Sequence, residues 1–286
     1  MVITETNADL RAQLRAWREA GDQIVFVPTM GNLHAGHLRL IQAARQHGQR
    51  IVVSIFVNPM QFDRADDFSA YPRTRQDDLE ALERASVDLL FLPTDDQIYP
   101  RSIDSMTFVE VPDLGNDLEG ESRPGHFRGV TTVVSRLFNL VAPDVAVFGK
   151  KDYQQLLIVR RMVEDLAMTV GIVAVETERE SSGLALSSRN SYLTEAERRQ
   201  AANLYAILVR CRNQVLERSG KFETAEAEAR EALEIAGFLP DYVSVRRQQD
   251  LKRPGNSDTE LVILAAARLG KARLIDNIEL SLNPNG

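Results

Sequence analysis

The chain has 286 residues, 44% of them hydrophobic and 26% charged, the composition of a globular protein long enough for one large domain or two ordinary ones. Its net charge of −7, from 34 Lys and Arg against 41 Asp and Glu, argues against a general nucleic-acid binder but leaves room for a small anionic substrate at a locally positive site. The one cysteine, Cys211, excludes an intrachain disulfide, and with no apolar leader core and no apolar run of membrane-spanning length a soluble, cytoplasmic protein is expected.

Residues 8–20 place Leu10, Leu14 and Trp17 on one helical face, with Gly21 past the end, and predict a helix. Ile24-Val25-Phe26-Val27 predicts a buried strand whose ladder Pro28 should stop. Gly31 and Asn32 mark a turn, and from Ala35 the spacing of Leu38, Ile41 and Ala44 predicts a helix ending near Gly48. Such a strand, loop and helix aim backbone N–H groups and a positive helix end at an anion. His34 and His37, three residues apart at the helix start, share a face, and imidazoles can donate to a polyphosphate. On spacing alone the pair also fits a surface turn with solvated histidines, and as a metal pair it lacks a nearby third ligand.

Residues 51–57 predict a second buried strand, followed at once by Asn58-Pro59-Met60-Gln61-Phe62. Asp63 to Tyr71 reads as polar and irregular. Thr74, with Asp77 three positions on, predicts a capped helix to Ala85 that turns Leu79 and Leu82 inward. Short strands are expected at 88–92 and, within a loop-rich stretch, at 107–111. A helix at 128–141, strands at 144–148 and 171–175, and a helix between them to about Ala167 complete the alternation. Alternating strands and helices imply a Rossmann-like α/β domain, with a parallel sheet and ligands beyond the carboxyl ends of its strands. Thr29–His37, Asn58–Gln61 and Gly149–Asp152 all follow strands and should meet over one crevice.

Beyond residue 180 the pattern changes. Thr194 and Glu197 form a capping box for a helix to about Leu216, Thr224 caps another that Gly237 closes, and strands follow at 241–246, 261–267 and 272–279. Helices followed by strands predict a small α+β domain, so the expected division is 1–180 and 181–286, with the boundary within 176–186. Cys211 lies in a helical pattern, and packing is its expected role.

Four blocks resemble one family. They are PTMGNLHAGH at 28–37, SIFVNPMQF at 54–62, FGKKDYQQL at 148–156 and GLALSSRN at 183–190. His34-Ala35-Gly36-His37 resembles the HxGH signature of the nucleotidylyl-transferase superfamily, and the four blocks in order resemble the pantothenate synthetase (pantoate–β-alanine ligase) family. The resemblance covers most of the first 190 residues, and the last third carries no motif transferable residue by residue.

The resemblance implies a cytoplasmic, homodimeric ligase that joins pantoate to β-alanine with ATP and Mg²⁺ through pantoyl adenylate, releasing AMP and pyrophosphate. It implies an ATP site of Met30, Gly31, Asn32, Leu33, His34, Ala35, Gly36 and His37, with Gly149, Lys150, Lys151, Asp152, Glu178, Leu186, Ser187, Ser188 and Arg189. His34, His37 and Lys151 would be catalytic, neutralising phosphate charge, while Lys150 is the expected solvated neighbour. Asp152 would face the ribose, and Ser187, Ser188 and Arg189 the pyrophosphate end. Gln61 and Gln155 would bind pantoate or β-alanine, with Met30 against the dimethyl group and Asn58 supporting the loop. Asp77 is the candidate Mg²⁺ ligand. Glu178 stands where the family usually has an apolar residue, and Ser181-Ser182 replace its usual pair before Gly183. The dimer is expected through 128–141 and 107–111, and the second domain is expected to close over the crevice. Two other readings fit the HxGH motif: a transferase acting on phosphopantetheine or a choline-type phosphate, and a nucleotide-binding regulator without turnover.

Overall fold

The computed structural model describes residues 1–62, 65–217 and 220–282. The chain forms two compact units, one of Met1–Lys150 with Ile158–Glu176, the other of Lys151–Leu157 with the chain from Thr177 onward.

In chain order the first unit holds β1 (Val2–Thr4), α1 (Asn7–Glu19), β2 (Ile24–Thr29), α2 (Ala35–Ala44), β3 (Arg50–Ile55), α3 (Ala65–Ala70), α4 (Arg75–Arg84) and β4 (Leu89–Phe91). Three single turns follow, α5 (Asp95–Ile98), α6 (Pro112–Gly115) and α7 (Glu119–Ser122), then α8 (His126–Val141), β5 (Val145–Gly149), the part of α9 (Tyr153–Asp165) from Ile158 on, and β6 (Gly171–Val175). The strands pair in parallel in the order β1-β4-β3-β2-β5-β6, a Rossmann-like sheet. From β2 the chain steps outward to β3 and β4, then returns to β5 on the other side of β2. The strand order therefore reverses at β2 and β5, and their carboxyl ends flank the place where such sheets bind ligands.

Both sheet faces are covered, which is why β2, β3 and β5 are almost continuously apolar. Val25, Val27, Ile51 and Val53 pack with Ile41 of α2 and Leu82 of α4 on one face. On the other, Phe138 of α8 meets Phe26 and Phe148 edge to face. α8 is buried nearly all round, so the apolar residues expected at a dimer interface are spent within this unit.

The second unit holds α10 (Glu195–Ala201), α11 (Asn203–Glu217), α12 (Phe222–Ile235) and the antiparallel strands β7 (Leu239–Arg247), β8 (Glu260–Leu269) and β9 (Ala272–Ser281). Leu204, Leu208, Cys211 and Leu233 pack on Ile263, Ala265 and Leu274, giving the expected α+β layer.

Several expectations need correction. β2 continues through Pro28, which pairs in register with Ser54. On the β5 side only Val25 and Phe26 are paired, so the missing proline N–H breaks no ladder there. β1 was not expected, because three residues carry too little periodicity. Within 63–71 the described residues form α3, where irregular chain was expected; Asp63 and Arg64 lie outside the described residues. Residues 107–111 form no strand, because Val109 gives its N–H to Thr132 Oγ1 and takes the Thr131 hydroxyl on its carbonyl. Thr74 makes no cap bond, and its hydroxyl donates to Asp78 Oδ1 at 3.2 Å. The helix expected from Thr194 to Leu216 is two, broken at Ala202, although the capping box is present. α12 starts after Lys221, which puts Thr224 inside its first turn. Among the described residues no helix is long and apolar enough to cross a membrane.

Candidate active site

The loop after β2 takes a shape few residues tolerate. Gly31 and Asn32 both lie in the left-handed region, at φ +80° and +50°. A Cβ on Gly31 would stand 3.0 Å from Ile55 Cγ2 and 3.1 Å from Asp78 Oδ2. The Asp78 carboxylate, 3% exposed, holds the loop: it accepts the Asn32 N–H at 2.9 Å and the Leu33 N–H at 2.7 Å. Asp77, named from the sequence for the helix cap and as a candidate Mg²⁺ ligand, is exposed; helical phase is what marks Asp78, because 78, not 77, shares a face with Leu82. Among the described residues no three His, Cys, Asp or Glu side chains are grouped to hold a metal.

His34 is the N-cap of α2, extended at φ −133° and ψ 175°. Its Nδ1 accepts the Gly36 N–H at 3.1 Å, and its own N–H donates to His37 Nδ1 at 3.3 Å. The two histidines thus form a reciprocal capping box, with ring centroids 4.1 Å apart. A neutral imidazole that accepts at Nδ1 carries its proton on Nε2, so each ring holds an N–H donor at the positive end of α2.

After β3, Asn58 starts the turn Pro59–Gln61. Asn58 is 1% exposed; its Oδ1 accepts from Met60 N and from the Tyr99 hydroxyl, and its Nδ2 donates to Gln61 Oε1 and Gly129 O. Gln61 Nε2 faces Met30 Sδ at 3.1 Å. The Gln61 carbonyl meets Arg123 Nη2 at 3.0 Å and His126 Nδ1 at 2.8 Å. Asn58 therefore supports the loop, and Met30 and Gln61 come together. Tyr99, Arg123 and His126 were missed, since each lies far along the chain in segments without periodicity. Lys150, expected to be solvated, is largely shielded and pairs with Glu176 at 2.5 Å, because β5 and β6 end side by side.

In the second unit, Lys151 O accepts from Asn277 Nδ2 at 3.0 Å, Asp152 is exposed and Gln155 is half-buried. Glu178 is exposed, and its carbonyl takes the Leu186 N–H at 2.9 Å, so this position is held through backbone. The Ser187 hydroxyl accepts the Arg189 N–H at 3.2 Å and opens the turn Ser188–Tyr192. Asn190 Nδ2 ties that turn back to Ala185 O at 3.0 Å.

A doubly covered parallel sheet, with a histidine-capped helix where its strand order reverses, defines a Rossmann-like α/β protein. The model of one family, pantoate-beta-alanine ligase, matches residues 2–279, and the chain belongs to that family of enzymes. It is 55% identical over 281 residues to pantothenate synthetase of Shewanella amazonensis, across 98% of this chain and 100% of that one. The relative from Thioalkalivibrio sulfidiphilus is 54% identical over 287 residues, across 100% of both chains. The crystal structure of pantothenate synthetase from Thermus thermophilus superposes with a TM-score of 0.90 at 44% identity, over 97% of this chain and 99% of that one. The pantoate-beta-alanine ligase of Francisella tularensis, complexed with beta-gamma ATP and beta-alanine, gives a TM-score of 0.79 at 33% identity, over 97% of both chains.

Proposed function

We propose that this enzyme condenses pantoate with β-alanine at the expense of MgATP, in two steps. In the first, a pantoate carboxylate oxygen attacks the α-phosphorus and pyrophosphate leaves, which turns a poor leaving group into AMP. In the second, the neutral amine of β-alanine attacks the acyl carbonyl, AMP departs, and the nitrogen loses a proton as the amide forms. The observation that carries the reading is the reciprocal cap of His34 and His37, which sets two Nε2–H donors at a helix N-terminus where the strand order reverses. Donors fixed in place before the reaction stabilise charge developing on the α-phosphate and the departing pyrophosphate.

The remaining roles are those the family resemblance implies, and the side-chain chemistry suits them. Lys151 and Arg189 supply cationic contacts to phosphate, with Ser187 and Ser188 as hydroxyl donors. Asp152 accepts from ribose hydroxyls, and the loop from Met30 to Gly36, with Gly149, lies along the nucleotide. Gln61 and Gln155 bind the polar groups of pantoate, and Met30 packs on its dimethyl group. Mg²⁺ arrives with ATP as part of the substrate, its ligands chiefly phosphate oxygens. Asp78 is no candidate ligand in its place, since both its oxygens are taken by Asn32, Leu33 and Thr74. The ligase named from Francisella tularensis, complexed with beta-gamma ATP and β-alanine, supports ATP and β-alanine as substrates here. A homodimer is also proposed; Phe108, 38% exposed beside Arg128, is its remaining apolar candidate, and sedimentation at monomer mass would exclude it.

The test is exchange of labelled pyrophosphate into ATP with Mg²⁺ and pantoate, without β-alanine. Pantoate-dependent exchange is expected, and adding β-alanine should yield AMP and pantothenate. AMP release only once β-alanine is present would remove the separable adenylate. No turnover under either condition would sink the reading.

A further inference from the structure

The assignment of pantoate to Gln61 leaves open which end of its amide meets the substrate. We propose that Tyr99 is a positioning residue which holds in place the Asn58 amide that sets the polarity of the Gln61 side chain, so that Gln61 presents its Nε2 to pantoate as a hydrogen-bond donor. The proposal rests on the functional reading above.

Two backbone groups fix the orientation of Asn58. Its Oδ1 faces the Met60 N–H at 3.2 Å, and only an oxygen can accept there. Its Nδ2 faces the Gly129 carbonyl at 3.1 Å, and only an N–H can donate there. The second Nδ2 proton then goes to Gln61 at 3.1 Å, so the Gln61 atom it meets is Oε1. Oε1 thereby points to Asn58, and Nε2 turns the other way, to Met30 Sδ at 3.1 Å. A thioether is a weak acceptor, so exchange of sulfur for a carboxylate or hydroxyl oxygen strengthens the bond. A ligand offering an N–H at the same place meets donor against donor and is rejected.

Tyr99 completes the relay. Its hydroxyl donates to Asn58 Oδ1 at 2.6 Å, the shortest contact the Asn58 side chain makes among the described residues. The phenol is 7% exposed and its ring stands edge to face against Phe56, 6.0 Å between centroids. Burial raises its pKa well above the ordinary range, so it stays a protonated donor at any working pH. Without it, Asn58 keeps one weaker bond on its oxygen and its amide is free to rock, carrying Gln61 with it.

Tyr99→Phe removes the hydroxyl and keeps the ring. KM for pantoate is expected to rise about five- to tenfold, the loss of one buried hydrogen bond, while KM for ATP and β-alanine stays within about twofold and kcat changes less than the pantoate KM. Asn58→Asp is the sharper variant. It still accepts from Met60 and Tyr99 but has no proton for the Gly129 carbonyl or for Gln61, whose amide should reverse and present its carbonyl to the substrate; a lowered Tm and a rise of about a hundredfold in pantoate KM, with KM for ATP and β-alanine little changed, are expected. An unchanged pantoate KM in Tyr99→Phe overturns the proposal. So does a uniform loss across all three substrates with a lowered Tm, because that is the signature of a packing role. Absence of pantoate-dependent exchange in the unmodified enzyme overturns the functional reading, and the proposal with it.

Discussion

Asp78 Oδ1 accepts the Leu33 N–H at 2.7 Å, and this carboxylate is what holds the histidine loop in its left-handed course. Its other oxygen takes Asn32 N–H, so the charge faces two backbone donors just before the His34 cap. Asp78→Asn swaps one acceptor for an N–H that opposes a backbone N–H. Loss of a buried bond to a charged group costs about 1.5–3 kcal/mol. Urea unfolding should show that loss, and kcat should fall at least about tenfold in the folded fraction as the cap geometry loosens. A stable variant with full kcat would mean that the loop keeps its shape unaided.

The histidines should separate by what replaces them. His37→Ala removes a donor and half of the capping box, so kcat is expected to fall about 10²–10³-fold and stability by about 1 kcal/mol. His37→Gln returns an amide N–H near the place of Nε2 and should recover part of the rate. Pyrophosphate exchange in both variants is the measurement, and identical losses would count against Nε2–H as the acting group.

α8 lies so close to the turn at Pro59–Gln61 that a Cβ on Gly129 would sit 2.3 Å from Met60 O. Backbone cannot retreat as a flexible side chain can. Gly129→Ala should therefore displace the turn, at about 1–3 kcal/mol of overpacking, and raise pantoate KM because Asn58 bonds to the Gly129 carbonyl. Thermal unfolding and substrate titration test both halves. A gain in Tm, as helix propensity alone would give, would show that the contact yields.

What was legible in the chain was periodic or local. Gly171–Val175 matches its predicted span, since a short apolar run between Gly and polar residues has few other readings. The Thr194 and Glu197 cap and the turn at Gly270 depend on neighbours within four residues and were equally readable. Residues 107–111 misled because their β-branched composition fits a strand, while the partners that decide their fate are Thr131 and Thr132, more than twenty residues on. The site divided in the same way. The mutual cap of His34 and His37 joins neighbours three residues apart, whereas Asp78 and Tyr99 act through bonds spanning 45 and 41 residues; helical phase turns Asp78 inward but does not name its partners.

Cys211 should be inert when folded. It is 1% exposed with Sγ toward Ala225 O, and burial, helped by Glu226 and Glu228, pushes its thiol up to about 12. The sign follows directly: below about pH 9 both states are protonated and nothing is lost. Between about 9 and 12 the unfolded thiol ionises while the folded one does not, so stability drops at about 1.4 kcal/mol per pH unit. Urea unfolding of the unmodified protein and Cys211→Ala at pH 8 and pH 10 should show their difference narrow by about 1–2 kcal/mol. A constant difference would mean that the thiol titrates normally in the folded state.

Arg179 and Asp276 make a largely buried, two-pronged ion pair in the second unit. Two guanidinium nitrogens meet the two carboxylate oxygens at 2.6 and 2.8 Å, and the group stacks on Tyr205 at 3.6 Å from the ring centroid. Asp276 is 4% exposed, so removing its partner leaves a buried charge. Arg179 also donates to Gly183 O and pairs across to Ala185, which fixes the turn leading to Ser187 and Arg189. Arg179→Ala is therefore expected to cost about 3–5 kcal/mol. Arg179→Lys should cost nearly as much, because an ammonium neither forks onto a carboxylate nor stacks flat on an aromatic ring. Replacing both residues with apolar ones of similar volume should restore much of the stability, since neither charge is then left unpaired. If the turn positions the phosphate contacts, the double variant will still show a raised KM for ATP after its Tm has recovered. Recovery of both together would reduce the pair to a stabilising element with no part in presenting Ser187 and Arg189.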